Sequence, residues 1–134
     1  MNAAMNDRDN LPPLSEAQLE IMDVVWERDE ATLAQVWTKL SQQREIAKNT
    51  VQTQLTRLLE KGWLSSRAEG KTFLYRATVP RKEARSGVVQ RVLESAFGGS
   101  TEGLVMALLD GRRLSKEEAD RIRKLIDEAE KEGR

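Results

Sequence analysis

Apolar positions in residues 48–61 recur with helical spacing: Val51, Leu55, Leu58 and Leu59 fall at i, i+4, i+7 and i+8, one face of an α-helix. The opposite face carries Asn49, Thr50, Thr53, Thr56 and Arg57, with Gln52 on its flank. Threonine and asparagine are poor helix formers, so a helix displaying this many has a use for them other than its own stability. Lys61-Gly62 ends the helix, with Gly62 as the left-handed cap. The spacing then becomes extended. Two short runs, Trp63 to Arg67 and Lys71 to Arg76, are joined at Glu69-Gly70. In the second, Phe73 and Tyr75 alternate with Thr72, Leu74 and Arg76, as in a half-buried strand. Helix, glycine stop and β-hairpin in this order predict a winged helix-turn-helix.

The flanking pattern completes that reading. Ser15 and Gln18 form a capping box for a first helix ending near Arg28, with Leu14 stapled onto Leu19. Its predicted buried stripe is Leu19, Met22 and Trp26, with Val25 alongside. Thr32 and Gln35 open a second helix, whose Leu33, Val36, Trp37 and Leu40 keep helical spacing, and Ser41 to Ile46 form the turn. Pro80 starts a fourth helix, with a wide apolar face of Val88, Val92 and Ala96 beside Val89, Leu93 and Phe97. Gly98-Gly99-Ser100 breaks it. A short apolar helix containing Leu104, Val105, Leu108 and Leu109 ends at Asp110-Gly111. Ser115 and Glu118 suggest another capping box, opening a last helix that buries Ile122, Leu125, Ile126 and Ala129.

The expected fold class is mainly α with a small β-hairpin. Residues 1–13 are expected to be a disordered leader ending at Pro12-Pro13, residues 14–77 the winged helix, and 78–134 a helical dimerisation domain. The last segment has large apolar faces and too few residues to enclose them. A second copy of the chain is the expected cover, through Val88, Val92, Leu93, Phe97, Leu104, Val105, Leu108, Leu109, Ile122, Leu125 and Ile126. Folding back onto the N-terminal domain is the alternative.

Composition narrows the chemistry. The chain has no cysteine and no histidine, which removes disulfides, thiolate sites, a cysteine nucleophile and the commonest metal ligand and general base. No carboxylates group into a recognisable constellation. An enzyme is therefore not expected, nor a cofactor, nor a metal. The N-terminal MNAAMNDRDNLPP has no basic start or apolar core, so it does not read as a secretory signal. No apolar run approaches membrane-spanning length, and direct membrane insertion is not expected. Net charge is zero but unevenly spread. Residues 1–40 hold 3 basic and 8 acidic side chains, residues 41–91 hold 11 and 4, and residues 92–134 hold 8 and 10. The positive excess coincides with the polar helix, the hairpin and the helix after it, where a phosphate footprint belongs. A chance run of solvated Lys and Arg explains the charge alone equally well. Its coincidence with the polar helix face favours nucleic acid.

Amides pair with adenine and threonine methyls meet thymine methyls, so the polar face suits base edges. The candidate DNA-binding residues are Lys48, Asn49, Thr50, Gln52, Thr53, Thr56 and Arg57 on helix 47–61, with Arg67 and Lys71 in the wing near 67–72. Arg67 and Lys71 read equally as ordinary charged turn residues. Trp26, Trp37 and Trp63 lie on apolar stripes or at helix ends, where core packing outweighs base stacking. Tyr75 fits either packing under the hairpin or a phosphate contact. A winged-helix adaptor that docks the same helix on a partner protein is the competing class.

The run from Leu14 to Tyr75, LSEAQLEIMDVVW…TVQTQLTRLLEKGWLSSRAEGKTFLY, resembles the BlaI/MecI/CopY penicillinase-repressor family of bacterial transcription regulators. The likeness continues through FGGSTEGLVMALLDGRRLSKEEADRIRKLIDE. It implies a cytoplasmic homodimeric repressor whose winged helices bind a palindromic double-stranded operator and whose C-terminal helices intertwine with the partner subunit. It also implies that Asn49, Thr50, Gln52, Thr53, Thr56 and Arg57 face the operator, with Lys71 in the wing. Copper-responsive members carry a C-terminal cysteine cluster that this chain lacks. β-Lactam-responsive members are inactivated by a membrane-bound sensor metalloprotease, which cuts an Asn-Phe bond in the short dimerisation helix. The matching bond here is Ala107-Leu108.

Overall fold

A computed structural model describes residues 11–133. The order of elements is α1 (Glu16–Arg28), β1 (Glu30–Ala31), α2 (Leu33–Ser41), α3 (Lys48–Lys61), β2 (Leu64–Glu69), β3 (Thr72–Ala77), α4 (Arg81–Phe97), α5 (Thr101–Leu109) and α6 (Lys116–Glu132). The chain divides within α4, between Arg91 and Val92, into two compact units.

Local chemistry sets the helix ends in the first unit. Ser15 and Gln18 exchange side chain-to-backbone hydrogen bonds of 3.0 and 3.2 Å, the predicted capping box. Thr32 and Gln35 do the same at α2, at 2.9 and 3.1 Å. α3 ends at Gly62, with φ at 89°, where the Gly62 and Trp63 N–H groups donate back to the Leu59 and Leu58 carbonyls. A Cβ at Gly62 would also lie 3.1 Å from a Leu11 methyl, which a small shift of that side chain relieves, so it is the left-handed φ that calls for glycine.

The core of this unit is built by α1, α2, α3 and one face of the sheet. Ile21, Met22, Val25, Val36, Val51, Leu55 and Leu58 are fully buried. Of the predicted stripe of α1, Met22 and Val25 are fully buried and Trp26 packs against the core, but Leu19 is half-buried and outside the cluster, and Ile21 and Val24 are buried in addition. All three tryptophans pack in or against the core, and their indole N–H groups donate to main-chain carbonyls: Trp26 to Val79, Trp37 to Ile46 and Trp63 to Pro12. The predicted leader, 1–13, lies mostly outside the described residues. Its last part is docked, since Leu11 packs against the core and the Pro12 and Pro13 carbonyls accept from Trp63 and Lys61.

The predicted hairpin is part of a three-stranded antiparallel sheet of order β1-β3-β2. Tyr75 sits opposite both Ala31 and Ser66, and Arg67 sits opposite Leu74. Tyr75 is buried under the sheet, whereas Phe73 on the same face has run past the core and is 55% exposed. Val79 and Ala84, beyond the expected boundary at 78, are each 4% exposed and belong to the same core. The first turns of α4 are thus part of the winged helix.

In the second unit, Ser100 caps α5 through Gly103 N–H at 2.9 Å, and Ser115 caps α6 through Glu118 N–H at 3.0 Å. At Ser115 only this half of the expected box is made among the described residues. No residue of α5 or α6 is buried. Val92, Val105, Leu108, Leu109, Leu125 and Ile126 are all exposed, while Val88, Leu93, Phe97, Leu104 and Ile122 are half-buried.

Candidate nucleic-acid interface

Helix α3 is fixed from beneath and presents its polar face outward. Val51, Leu55 and Leu58 are completely buried, which sets the rotation of the helix. Lys48, Asn49, Thr50, Gln52, Thr53, Thr56 and Arg57 are consequently all exposed. On that face the Thr53 hydroxyl donates to the Asn49 carbonyl and the Thr56 hydroxyl to the Gln52 carbonyl, each at 3.0 Å. The Gln52 amide reaches Thr56 Oγ1 at 3.4 Å. These i to i−4 bonds hold both threonine side chains in one orientation along the helix.

Both ends of α3 are tied to the domain. At its start the Lys48 ammonium lies 5.7 Å from the centre of the Trp37 ring, a cation–π distance. The Trp37 indole in turn holds the Ile46 carbonyl at 2.8 Å, which fixes the turn leading into α3. At its end Lys61 donates to Gln18 Oε1 at 2.7 Å and to the Pro13 carbonyl at 2.9 Å. Gln18 is 4% exposed and passes its own amide proton to Gln54 at 3.1 Å. Buried polar groups are tolerated when bonded in this way. Sequence spacing identified Gln18 as a cap only; its bonds to Gln54 and Lys61 depend on packing and leave no local signal.

The wing is less uniform than its sequence suggests. Lys71 is exposed at the turn and makes no ion pair among the described residues. Arg67, by contrast, grips both carboxylate oxygens of Glu30 at 3.0 and 3.1 Å and reaches Glu69 at 2.9 Å. The hydrogen bond from Arg67 holds the Glu30 carboxyl below the usual carboxylate range, and the same bond raises the Arg67 guanidinium further. Arg76 pairs with Asp29 at 3.3 Å. Asp29 ends α1 with φ at 73°, the one non-glycine residue in that region among the described residues. Tyr75, an open choice from the sequence, is 4% exposed and packs under the sheet.

Ala107 and Leu108 lie inside α5. Among the residues expected at a subunit interface, Leu125 is 63% and Ile126 56% exposed; Met106 of α5, outside that expected set, is 64% exposed.

Comparison with known proteins agrees with this geometry. A family model described as Penicillinase repressor matches residues 14–128. The penicillinase repressor of Bacillus licheniformis is 28% identical over 118 residues, spanning 88% of this chain and 92% of that protein. The transcriptional regulator BlaI of Mycobacterium tuberculosis (strain CDC 1551 / Oshkosh) is 29% identical over 122 residues, spanning 90% and 87%. Among solved structures, the DNA binding domain of the repressor BlaI superposes with a TM-score of 0.51 at 32% identity, covering 55% of this chain and 90% of that domain. A helix-turn-helix followed by a paired wing, and a match over most of the sequence, lead to one conclusion: the chain belongs to the penicillinase repressor family.

Proposed function

We propose that this chain is a sequence-specific DNA-binding transcriptional repressor that occupies a palindromic operator as a homodimer. The observation that carries the reading is the face of α3, with seven exposed polar or charged side chains mounted on a fully buried apolar face. Such a helix enters the major groove, where its amides, hydroxyls and Arg57 meet base edges. Lys71 at the wing turn supplies a backbone phosphate contact, which sets register and carries no sequence information. The family and the likeness to a repressor's DNA binding domain support the same assignment.

The apolar side chains left exposed on α4, α5 and α6 support a homodimer in which a second copy covers them. Two joined readers then engage two half-sites at once. Repression follows from occupying a promoter, and the reading assigns the chain no catalytic step. It also assigns the Ala107-Leu108 bond no role as a cut site, because that bond lacks the Asn-Phe pair. No helix among the described residues is long and apolar enough to cross a membrane.

The test is to map the chain on its own genome and measure its affinity for the recovered sequence and for random duplex across a salt series. A steep fall with salt and a preference for the recovered sequence are expected. Binding that ignores salt would favour the adaptor reading.

A further inference from the structure

Arg67 belongs to β2 and Glu30 to β1, the strands on either side of β3. Side chains alternate across a sheet, and directly paired residues share a face. Pairing of Arg67 with Leu74 and of Glu30 with Arg76 therefore places both side chains on the face opposite Tyr75. The Arg67 side chain crosses β3 on the Leu74 side and closes on Glu30 with two parallel bonds, through Nε and Nη2, at 3.1 and 3.0 Å. Nη1 takes Glu69 at 2.9 Å, just before the turn that carries Lys71. One arginine thus links the outermost strand to the base of the wing tip.

Exposed ion pairs contribute little when isolated, and bidentate, networked geometry is the exception. The charge balance is informative too. Two carboxylates take up the donors of the one guanidinium, and Arg76, directly opposite Glu30, offsets part of their charge, so Arg67 has no free fork to offer a phosphate. A residue kept for phosphate contact would instead have its donors open, as Lys71 does.

We propose that Glu30 is a positioning residue for DNA binding: through Arg67 it ties β1 to the wing and fixes the tip at Gly70 and Lys71, while Arg67 itself makes no phosphate contact. The proposal rests on the DNA-binding reading above. It runs against simple electrostatics, in which removing a carboxylate beside a basic footprint tightens binding to DNA.

The experiment uses the full chain, genome-derived operator DNA and random duplex, titrated across salt. The variants are Glu30→Gln, Arg67→Gln and the chain carrying both substitutions. Glu30→Gln should weaken operator binding by about two- to fivefold despite its lost negative charge, the range that well-formed exposed pairs reach. Arg67→Gln should match it with an unchanged salt slope, and the double Gln variant should be no worse than either. In the free chain, backbone order parameters at Gly70 and Lys71 should fall in both single variants, with α1 to α3 unaffected. Equal or tighter binding by Glu30→Gln overturns the proposal. So does an Arg67→Gln slope flatter by about 0.9, the signature of one lost phosphate contact. Should a single variant fail to fold, the double Gln chain decides: a loss of about two- to fivefold with an unchanged salt slope supports the strut, and equal or tighter binding, or a slope flatter by about 0.9, overturns it. A wild-type chain that binds no DNA sinks the underlying reading as well, a result separate from any of these.

Discussion

Lys61 Nζ lies 2.7 Å from Oε1 of Gln18, which joins the last residue of α3 to the first turn of α1. Gln18 is the one buried polar residue of the described core, and it serves three partners: the Ser15 N–H, Lys61 and Gln54. The same side chain caps one helix and seats the last turn of another.

Gln18→Met keeps volume but leaves Gln54 and Lys61 without their shared partner. We expect the chain to lose about 1–3 kcal/mol of stability, the cost of stranding part-buried polar groups. Urea unfolding of the full chain at neutral pH measures it. A loss within experimental error would show that water replaces Gln18 freely.

Gln52→Ala should weaken operator binding by roughly 1–3 kcal/mol and relax base preference at one position per half-site. Lys71→Ala should lower affinity for every duplex and flatten the salt slope by about one unit. Fluorescence anisotropy on operator, single-base variants and random DNA separates the two effects. Identical behaviour of both variants on specific and random DNA would remove α3 as the reader.

Glu30 provides a pH handle. Its folded carboxyl titrates below the usual range because of the Arg67 hydrogen bond. Its contribution is therefore present above the unfolded carboxylate value and is lost as pH falls through the lower folded value. Side-chain carboxyl NMR should place the Glu30 midpoint below that of exposed glutamates. In Arg67→Gln the midpoint should rise into the ordinary range. An unmoved midpoint would assign the shift to something other than Arg67.

Stopping the chain after Arg91 should leave a folded winged helix that sediments as a monomer. Its operator affinity should fall on the order of 100-fold or more, because linkage of two readers is lost. Stopping it after Ala77 also removes Val79 and Ala84 from the core, and the Val79 carbonyl from Trp26. That shorter chain should be less stable by at least about 1.5–3 kcal/mol, the value of one buried valine. Leu108→Asp in the full chain should give monomer and weak operator binding without loss of the first unit's fold. A stable dimer of the Arg91-terminated chain would move the interface to the winged helix.

What could be read from the sequence depended on how local the signal was. Val51, Leu55 and Leu58 with Gly62 define α3 because periodicity and cap chemistry act within a few residues. The stripe of α1 is legible only in part, at Met22, Val25 and Trp26, because LEIMDVVW is apolar on several sides and spacing alone leaves the rotation open; packing selects Ile21 and Val24 over Leu19. β1 has only Glu30 and Ala31, too short to alternate, and it becomes a strand by pairing with Arg76 and Tyr75. The same pairing brings Glu30 to Arg67, a partner 37 positions away with no trace in local pattern. Alternation placed Phe73 with Tyr75 correctly, but strand length decides that the first emerges and the second is covered.

The back-bonded threonines of α3 bear on which operators suit this chain. A hydroxyl whose hydrogen is held by the main chain acts outwardly as an acceptor, so Thr53 and Thr56 offer lone pairs and methyl groups. Those suit the amino edges of adenine and cytosine and the methyl of thymine, and they leave the keto edge of guanine unmatched. Gln52 gives one amide hydrogen to Thr56 and keeps its oxygen and the other hydrogen, the pair that adenine takes. Guanine then falls to Lys48 or to Arg57, whose fork is open among the described residues and matches its O6 and N7. On the proposed reading, α3 thus sorts its donors and acceptors before any duplex arrives, with guanine left to the two cationic side chains of that face, Lys48 and Arg57.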